Sequence, residues 1–425
     1  MAITEVNDLA ALDAVELLAL FATGDCTPLQ ALQGVTERVA RRNPEINAFA
    51  AMNPAALSAA RESTQRWQAG QARALEGVPL TVSDLVDVAG LPTRRGSKTT
   101  DPTPCRRDAP LVAVLRAAGA VIIGKTNVSE FGLKYQGDSP LTGITRNPWN
   151  SLHSVGGPSG GAAAAAAGFF APLHIADSGV AVPAAWTGVV GLKLGSISEN
   201  QGIIARSVAD IALLSTVLSG RSQVGEYAEN IQGLKIGILR LPGFNAPASG
   251  AAWQAVDTAR NLLTAQGASV CEITPVLPDI ETVFTNLWSA RCAREMACLA
   301  PEQHALLDPG LLALASCFGA EGTVEDQRQQ DIIAESRRAM AALDVDAVIC
   351  PAVPYAAPLA TPESQDLTFH PVAWTMLFSL TGQHALTLPM GIDADGLPTA
   401  VQIAAKSGRD DLVLGIAYAL ERGLE

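Results

Sequence analysis

Residues 155–168 read VGGPSGGAAAAAAG, four glycines around a proline and a serine, then six alanines and a closing glycine. The glycines allow a tight turn with close backbone approach, and the alanines make a slim helix that must pack closely against its neighbours. The run is too short and too interrupted to cross a bilayer. Upstream, Val78–Val82 and Ala120–Ile123 are short apolar runs that read as buried strands, with a helix over 108–119 between them. Downstream, GLKIGIL (233–239) reads as a strand followed by a helix over 251–268. AVICP (347–351) and GLPTAVQIA (396–404) read as further strands, and Asp410–Arg422 as the last helix. The N-terminal part reads as helical, with a start at Thr27-Pro28 and a stop at Asn43-Pro44. Alternation of this kind predicts an α/β fold, a sheet covered by helices.

Length and charge narrow the function classes. The chain has 425 residues, 48% hydrophobic and 17% charged, which excludes disorder and predicts a large core. A formal charge of −13 repels a phosphate backbone, so nucleic acid is not an expected partner. Seven cysteines without a CxxC pair read as reduced thiols of a cytoplasmic protein, mostly buried. The N-terminus lacks a basic region and does not read as a signal peptide. His153, His304, His370 and His384 show no metal-ligand spacing among themselves.

Seven segments in order carry a more specific signal. They are Gly77-Val78-Pro79-Leu80 with Asp84; Gly124-Lys125-Thr126-Asn127 with Glu130-Phe131; and Thr145–Asn150 (TRNPWN). GGPSGGAAAAAAG, PAAWTGVVGLK (183–193), ARSVADIALL (205–214) and the stretch 380–405 complete the set. Together they resemble the amidase signature family of Ser-Ser-Lys amidases, which includes glutamyl-tRNA amidotransferase subunits of the A type. The resemblance implies an amidase-signature α/β fold, a large mixed β-sheet sandwiched by helices. It also implies a single domain over 1–425, with a helical part (1–70), a signature core (71–220) and a C-terminal α/β part (221–425). The chemistry it implies is cleavage or transfer at amide C–N bonds without metal or organic cofactor.

In that family a serine attacks the carbonyl, a second serine relays its proton to a neutral lysine, and backbone N–H groups hold the oxyanion. The lysine lies four residues after the proline of the Gly-Val-Pro strand; here that position is Ser83. The bridging serine is the first of a pair in a Gly-Gly-Ser-Ser-Gly-Gly loop; here it is Pro158, whose peptide bond is expected to be cis. Counting back from Pro183 puts Gly179 at the nucleophile position. The connection after Lys193 reads as shortened, running from Leu194 to Gly202 straight into a helix. A hydroxyl at 83 cannot serve as the general base.

Replacement machinery has three weak candidates: Ser159, Ser178 and His174. Ser178 also reads as a turn serine, Ser159 as the structural second serine of the loop, and His174 as a satisfied core histidine. Lys125 and Lys193 read as packing and ion-pairing residues, and Asp84, Asp87 and Arg146 as structural. Cys292 and Cys298 read as core.

The sequence therefore predicts a catalytically inactive, amidase-like pseudoenzyme with no catalytic residues. Its expected role is a scaffold or regulatory subunit for a protein partner, an active amidase or another enzyme of the same pathway, with a homodimer as the other assembly. Two alternatives stand beside it: an amide hydrolase with a rebuilt nonstandard site, and a small-molecule-binding module on the same fold. Neither a nucleic-acid nor a membrane partner is expected.

Overall fold

The computed structural model describes residues 8–177, 179–194, 201–220, 231–240, 247–316, 327–361, 370–406 and 408–424. Its strands are β1 (Phe49–Met52), β2 (Pro79–Ser83), β3 (Val121–Thr126), β4 (Asp138–Ser139), β5 (Gly143–Ile144), β6 (Leu173–Asp177) and β7 (Val190–Lys193). They continue with β8 (Gln201–Ala205), β9 (Lys235–Leu239), β10 (Ser269–Ile273), β11 (Ala347–Pro351), β12 (Ala385–Ile392) and β13 (Pro398–Ala405). All but the β4–β5 hairpin form one 11-stranded mixed sheet in the order β1-β3-β2-β6-β8-β7-β12-β13-β11-β9-β10. Its flanks, β3-β2-β6 and β11-β9-β10, are parallel, and its centre from β6 to β13 is antiparallel.

The helices are α1 (Ala14–Thr23), α2 (Pro28–Ile46), α3 (Ala56–Gln68), α4 (Pro110–Ala117), α5 (Gly160–Ala167), α6 (Ala181–Thr187) and α7 (Val208–Ser219). After them come α8 (Gly250–Ala265), α9 (Ile280–Ala297), α10 (Pro309–Ser316), α11 (Gln327–Ala341), α12 (Met376–Thr381) and α13 (Asp410–Leu424). No described helix is long and apolar enough to cross a membrane.

Most sequence-level boundaries hold within a few residues. Thr27 caps α2 in a reciprocal capping box with Gln30, and Pro28 occupies the first turn, where its missing N–H costs nothing. Two expectations about chain path are corrected. Pro44 does not stop α2, which runs to Ile46 and ends at Asn47 in the left-handed conformation. The segment after Lys193 does not enter a helix directly. Gln201–Ala205 forms β8, held between β6 and β7, before α7 begins at Val208.

Alternation along the strands sorts the two sheet faces. One face is aliphatic: Leu80, Val82, Leu173, Ile175, Leu192, Ile203, Leu386, Leu388, Val401 and Ile403 form one cluster with residues of α7, α8 and α13. The intervening residues, among them Thr81, Ser83, His174, Lys193, Thr387 and Gln402, fall on the other face. That face is covered near its middle by α5 and α6, whose alanines pack with Ala176 and Ile204. Polar residues thus gather on one side of an otherwise apolar sheet.

Candidate functional site

The Gly-Gly-Pro-Ser-Gly-Gly loop enters this face just before α5. The Gly157-Pro158 peptide is cis. A side chain at Gly157 would meet the carbonyl oxygens of Lys134 and Gln136 at 2.4 and 2.6 Å, so the loop lies directly on that backbone. Gly179 leaves β6 against the ring of Pro158; a Cβ there would stand 2.3 Å from Cδ and 2.4 Å from Cγ. The two positions where the family pattern has serines are therefore packed against each other.

A cavity of about 160 Å³ opens beside them. Gly157, Pro158 and the turn from Gly179 to Val182 form one wall. Phe284, Trp288 and Arg291, spaced by four and three residues and hence on one face of α9, also line the cavity. Trp288 stacks on Tyr135 at 5.1 Å and on Phe284 at 5.7 Å. Lys193 at the end of β7, Gln402 of β13, and Thr375 and Ser379 around α12 supply the remaining polar groups. Lys193 Nζ donates to the Phe378 carbonyl at 3.4 Å, and Ser379 Oγ donates to the Thr375 carbonyl at 3.2 Å. Gln402 is 3% exposed, and its Oε1 has no hydrogen-bond partner among the described residues.

The residues singled out from sequence fall into different places. Pro158 and Gly179 border the cavity. Ser83 is buried at the end of β2, where its Oγ accepts from the Leu85 N–H at 3.3 Å. Ser159 is buried at the start of α5 and does not border the cavity. Ser178 lies outside the described residues. His174 sits within β6, fully buried: Nε2 donates to the Ala171 carbonyl at 2.9 Å, which fixes the tautomer, so Nδ1 accepts from the Thr81 hydroxyl. Burial pushes this imidazole down to about 3, and it stays neutral as a packing residue rather than a base at the cavity.

Lys125 is structural, as the sequence suggested. Its ammonium pairs with Asp84 at 3.1 Å, both side chains wholly buried, and donates to Thr93 Oγ1 at 3.0 Å. Burial lowers the Lys125 amine and raises the Asp84 carboxyl, and each partner's charge opposes the other's shift. Lys193 reads as a packing and ion-pairing residue in sequence; alternation along β7 turns it to the polar face, where it donates to the Phe378 carbonyl and lines the cavity. Cys298 is a correction, exposed at the end of α9 while Cys292 is buried. Sequence reasoning missed Arg291 and Gln402. The spacing of Phe284, Trp288 and Arg291, and one glutamine in the apolar run Pro398–Ala405, were the available signals. Among the described residues, no group of three His, Cys, Asp or Glu is placed to hold a metal.

The family model described as Amidase matches residues 30–414. The chain belongs to the amidase family. It is 31% identical to a glutamyl-tRNA(Gln) amidotransferase subunit of Acidothermus cellulolyticus, over 98% of this chain and 95% of the relative. It is 30% identical to the putative amidase AmiB2 of Mycobacterium bovis, over 98% of this chain and 96% of the relative. The fold matches a bacterial aryl acylamidase of the amidase signature family with a TM-score of 0.87 at 20% identity, over 97% of this chain and 96% of that one.

These likenesses overturn the expectation of an inactive scaffold. Relatives aligned along nearly the whole chain carry the names of an amidase and of an amidotransferase component, and an amide hydrolase fits them better than a pseudoenzyme. The physical reason lies in the inference itself. Loss of three residue types argued against one mechanism, and it carried no information about the groups that α9, α12, β7 and β13 bring to the same cavity.

Proposed function

We propose that this amidase-family chain hydrolyses an amide C–N bond in the cavity beside Pro158 and Gly179, with a nonstandard set of groups in place of the Ser-Ser-Lys triad. The observation that carries this reading is the coincidence of the cavity with those two positions, together with the amine of Lys193 and the hydroxyls of Thr375 and Ser379 in its wall. In the reaction a hydroxyl oxygen adds to the carbonyl carbon and the C–N bond breaks. The nitrogen leaves with the proton taken from the nucleophile, and water then releases the acid and restores the hydroxyl. Lys193, in its uncharged form, is the wall residue suited to carry that proton. Ser379 and Thr375 are the nucleophile candidates in the wall, and Ser178 is the candidate from the sequence.

The test is amine or ammonia release from acetamide, benzamide and an acyl anilide by the purified full chain. Turnover is expected, with a loss of about a hundredfold or more in Lys193→Ala, the usual worth of a positioned proton carrier. Ser379→Ala, Thr375→Ala, Ser178→Ala and Ser159→Ala then locate the nucleophile. Release no faster than in buffer from every substrate would overturn the proposal. The Acidothermus relative is named as one component of an amidotransferase, which supports a companion reading in which the chain works with a protein partner of the same pathway. Native mass spectrometry of the protein from its own host tests it: a stoichiometric second chain is expected, and a homodimer or monomer would remove it.

A further inference from the structure

The cavity has a local charge opposite to that of the chain. Overall the protein carries −13, but among the described lining residues there is a permanently charged guanidinium, Arg291, and no Asp or Glu. Arg291 lies over the Trp288 ring, 5.7 Å from its centroid. The acid one turn further along α9, Glu295, is engaged by Arg95 at 2.5 and 3.0 Å. A cation held against an aromatic wall at a cavity, with its nearest helical acid already paired, is suited to pair with an anion brought by a solute.

The second observation is Gln402. A buried acceptor without a partner is unfavourable, and an N–H group of a ligand in the cavity would relieve that cost. The stacked rings of Tyr135 and Trp288 also line the cavity, and their surface suits a flat or apolar spacer.

Resting on the hydrolase reading above, we infer that the substrate is an amide that also bears a carboxylate. Arg291 holds the carboxylate, Gln402 accepts from the N–H of the amide, and the spacer between them lies along Tyr135 and Trp288. Arg291 acts here as a specificity residue and takes no part in bond cleavage.

The matched pair 4-carbamoylbenzoate and 4-methylbenzamide tests this, since the two share ring and amide and differ in the anion. The expected kcat/KM ratio favours the acid by about tenfold or more, a typical return on a charge-assisted contact. Arg291→Gln is expected to collapse that ratio through KM for the acid, and Arg291→Lys to restore part of it. An unchanged ratio in Arg291→Gln, or no preference in the wild type, overturns the inference while leaving the hydrolase reading in place. If neither amide is turned over, the hydrolase reading is the one that fails for these substrates. Calorimetry with 4-carbamoylbenzoate then decides the anion site alone: binding lost in Arg291→Gln supports it, and absent or unaltered binding overturns it.

Discussion

Two groups of polar residues share one face of the sheet, and they differ in what holds them. Ser83, His174 and Ser159, near β2 and β6, are fully buried, and none of them borders the cavity. Ser83 and both nitrogens of His174 bond to their surroundings, so their polarity is absorbed by the fold. Lys193, Arg291 and Gln402, toward β7, α9 and β13, border the cavity, and Gln402 keeps a buried acceptor without a partner. The difference teaches that one face can hold a closed part, where a polar group stabilises the chain, and an open part, where it serves a solute. Substitutions should separate the two parts by their effect on stability.

The largest effect is expected at the buried Lys125–Asp84 pair, which does not border the cavity. Lys125→Ala leaves Asp84 as an unpaired buried carboxylate, and breaking a buried pair from one side costs about 3–5 kcal/mol. Unfolding in urea measures it, and Lys125→Met combined with Asp84→Leu should recover most of the loss. A cost below about 1 kcal/mol would class the pair with solvated surface ion pairs and break the comparison.

The boundary between the parts comes next. Gly179→Ser places a Cβ within 2.4 Å of the Pro158 ring, and overpacking of this kind costs about 1–3 kcal/mol. Removing the ring with Pro158→Ala should relieve it, so a double-mutant cycle should show a coupling well outside additivity. Strict additivity would mean that the two positions do not constrain each other. The contact also implies that a serine cannot return to position 179 until position 158 changes.

The fold was legible because its strands are short apolar runs bounded by turns and its helices carry local capping signals such as Thr27 with Gln30. What was not legible depends on distant partners. Gln201–Ala205 holds two isoleucines among small and polar residues, and it is a strand because β6 and β7 pair with both of its edges. The site shows the same limit. Pro158 and Gly179 could be located from the order of local motifs, and His174 could be set aside as a core residue. Arg291 and Gln402 lie about a hundred residues apart and far from the motif loop, so only the folded sheet brings them to one cavity. The inactive-scaffold reading failed for that reason, since it weighed the local motif alone.

A pH test separates the parts again. His174 is held down to about 3, well below its value of 6.5 when unfolded. Between these values the unfolded chain binds a proton that the folded chain refuses. Stability from this group is therefore complete above about pH 6.5 and falls as pH drops toward 3, by up to about 1.4 kcal/mol per pH unit. The difference between wild type and His174→Gln, measured by urea unfolding from pH 7 to 4, should show this slope. Equal slopes would mean that His174 gains a proton in the folded state and belongs with the open part.

The smallest effect is expected at Gln402, where the comparison is sharpest. Leucine is close to glutamine in size and removes both the buried acceptor and its desolvation cost, and such replacements are often neutral or stabilising. Gln402→Leu should therefore shift the unfolding free energy by less than about 1 kcal/mol, or raise it, while weakening retention of 4-carbamoylbenzoate. Stability kept and binding lost is the signature of a polar group maintained for a solute. A loss of several kcal/mol with binding intact would instead make Gln402 a structural residue like His174, and the division of the face into closed and open parts would end at β7.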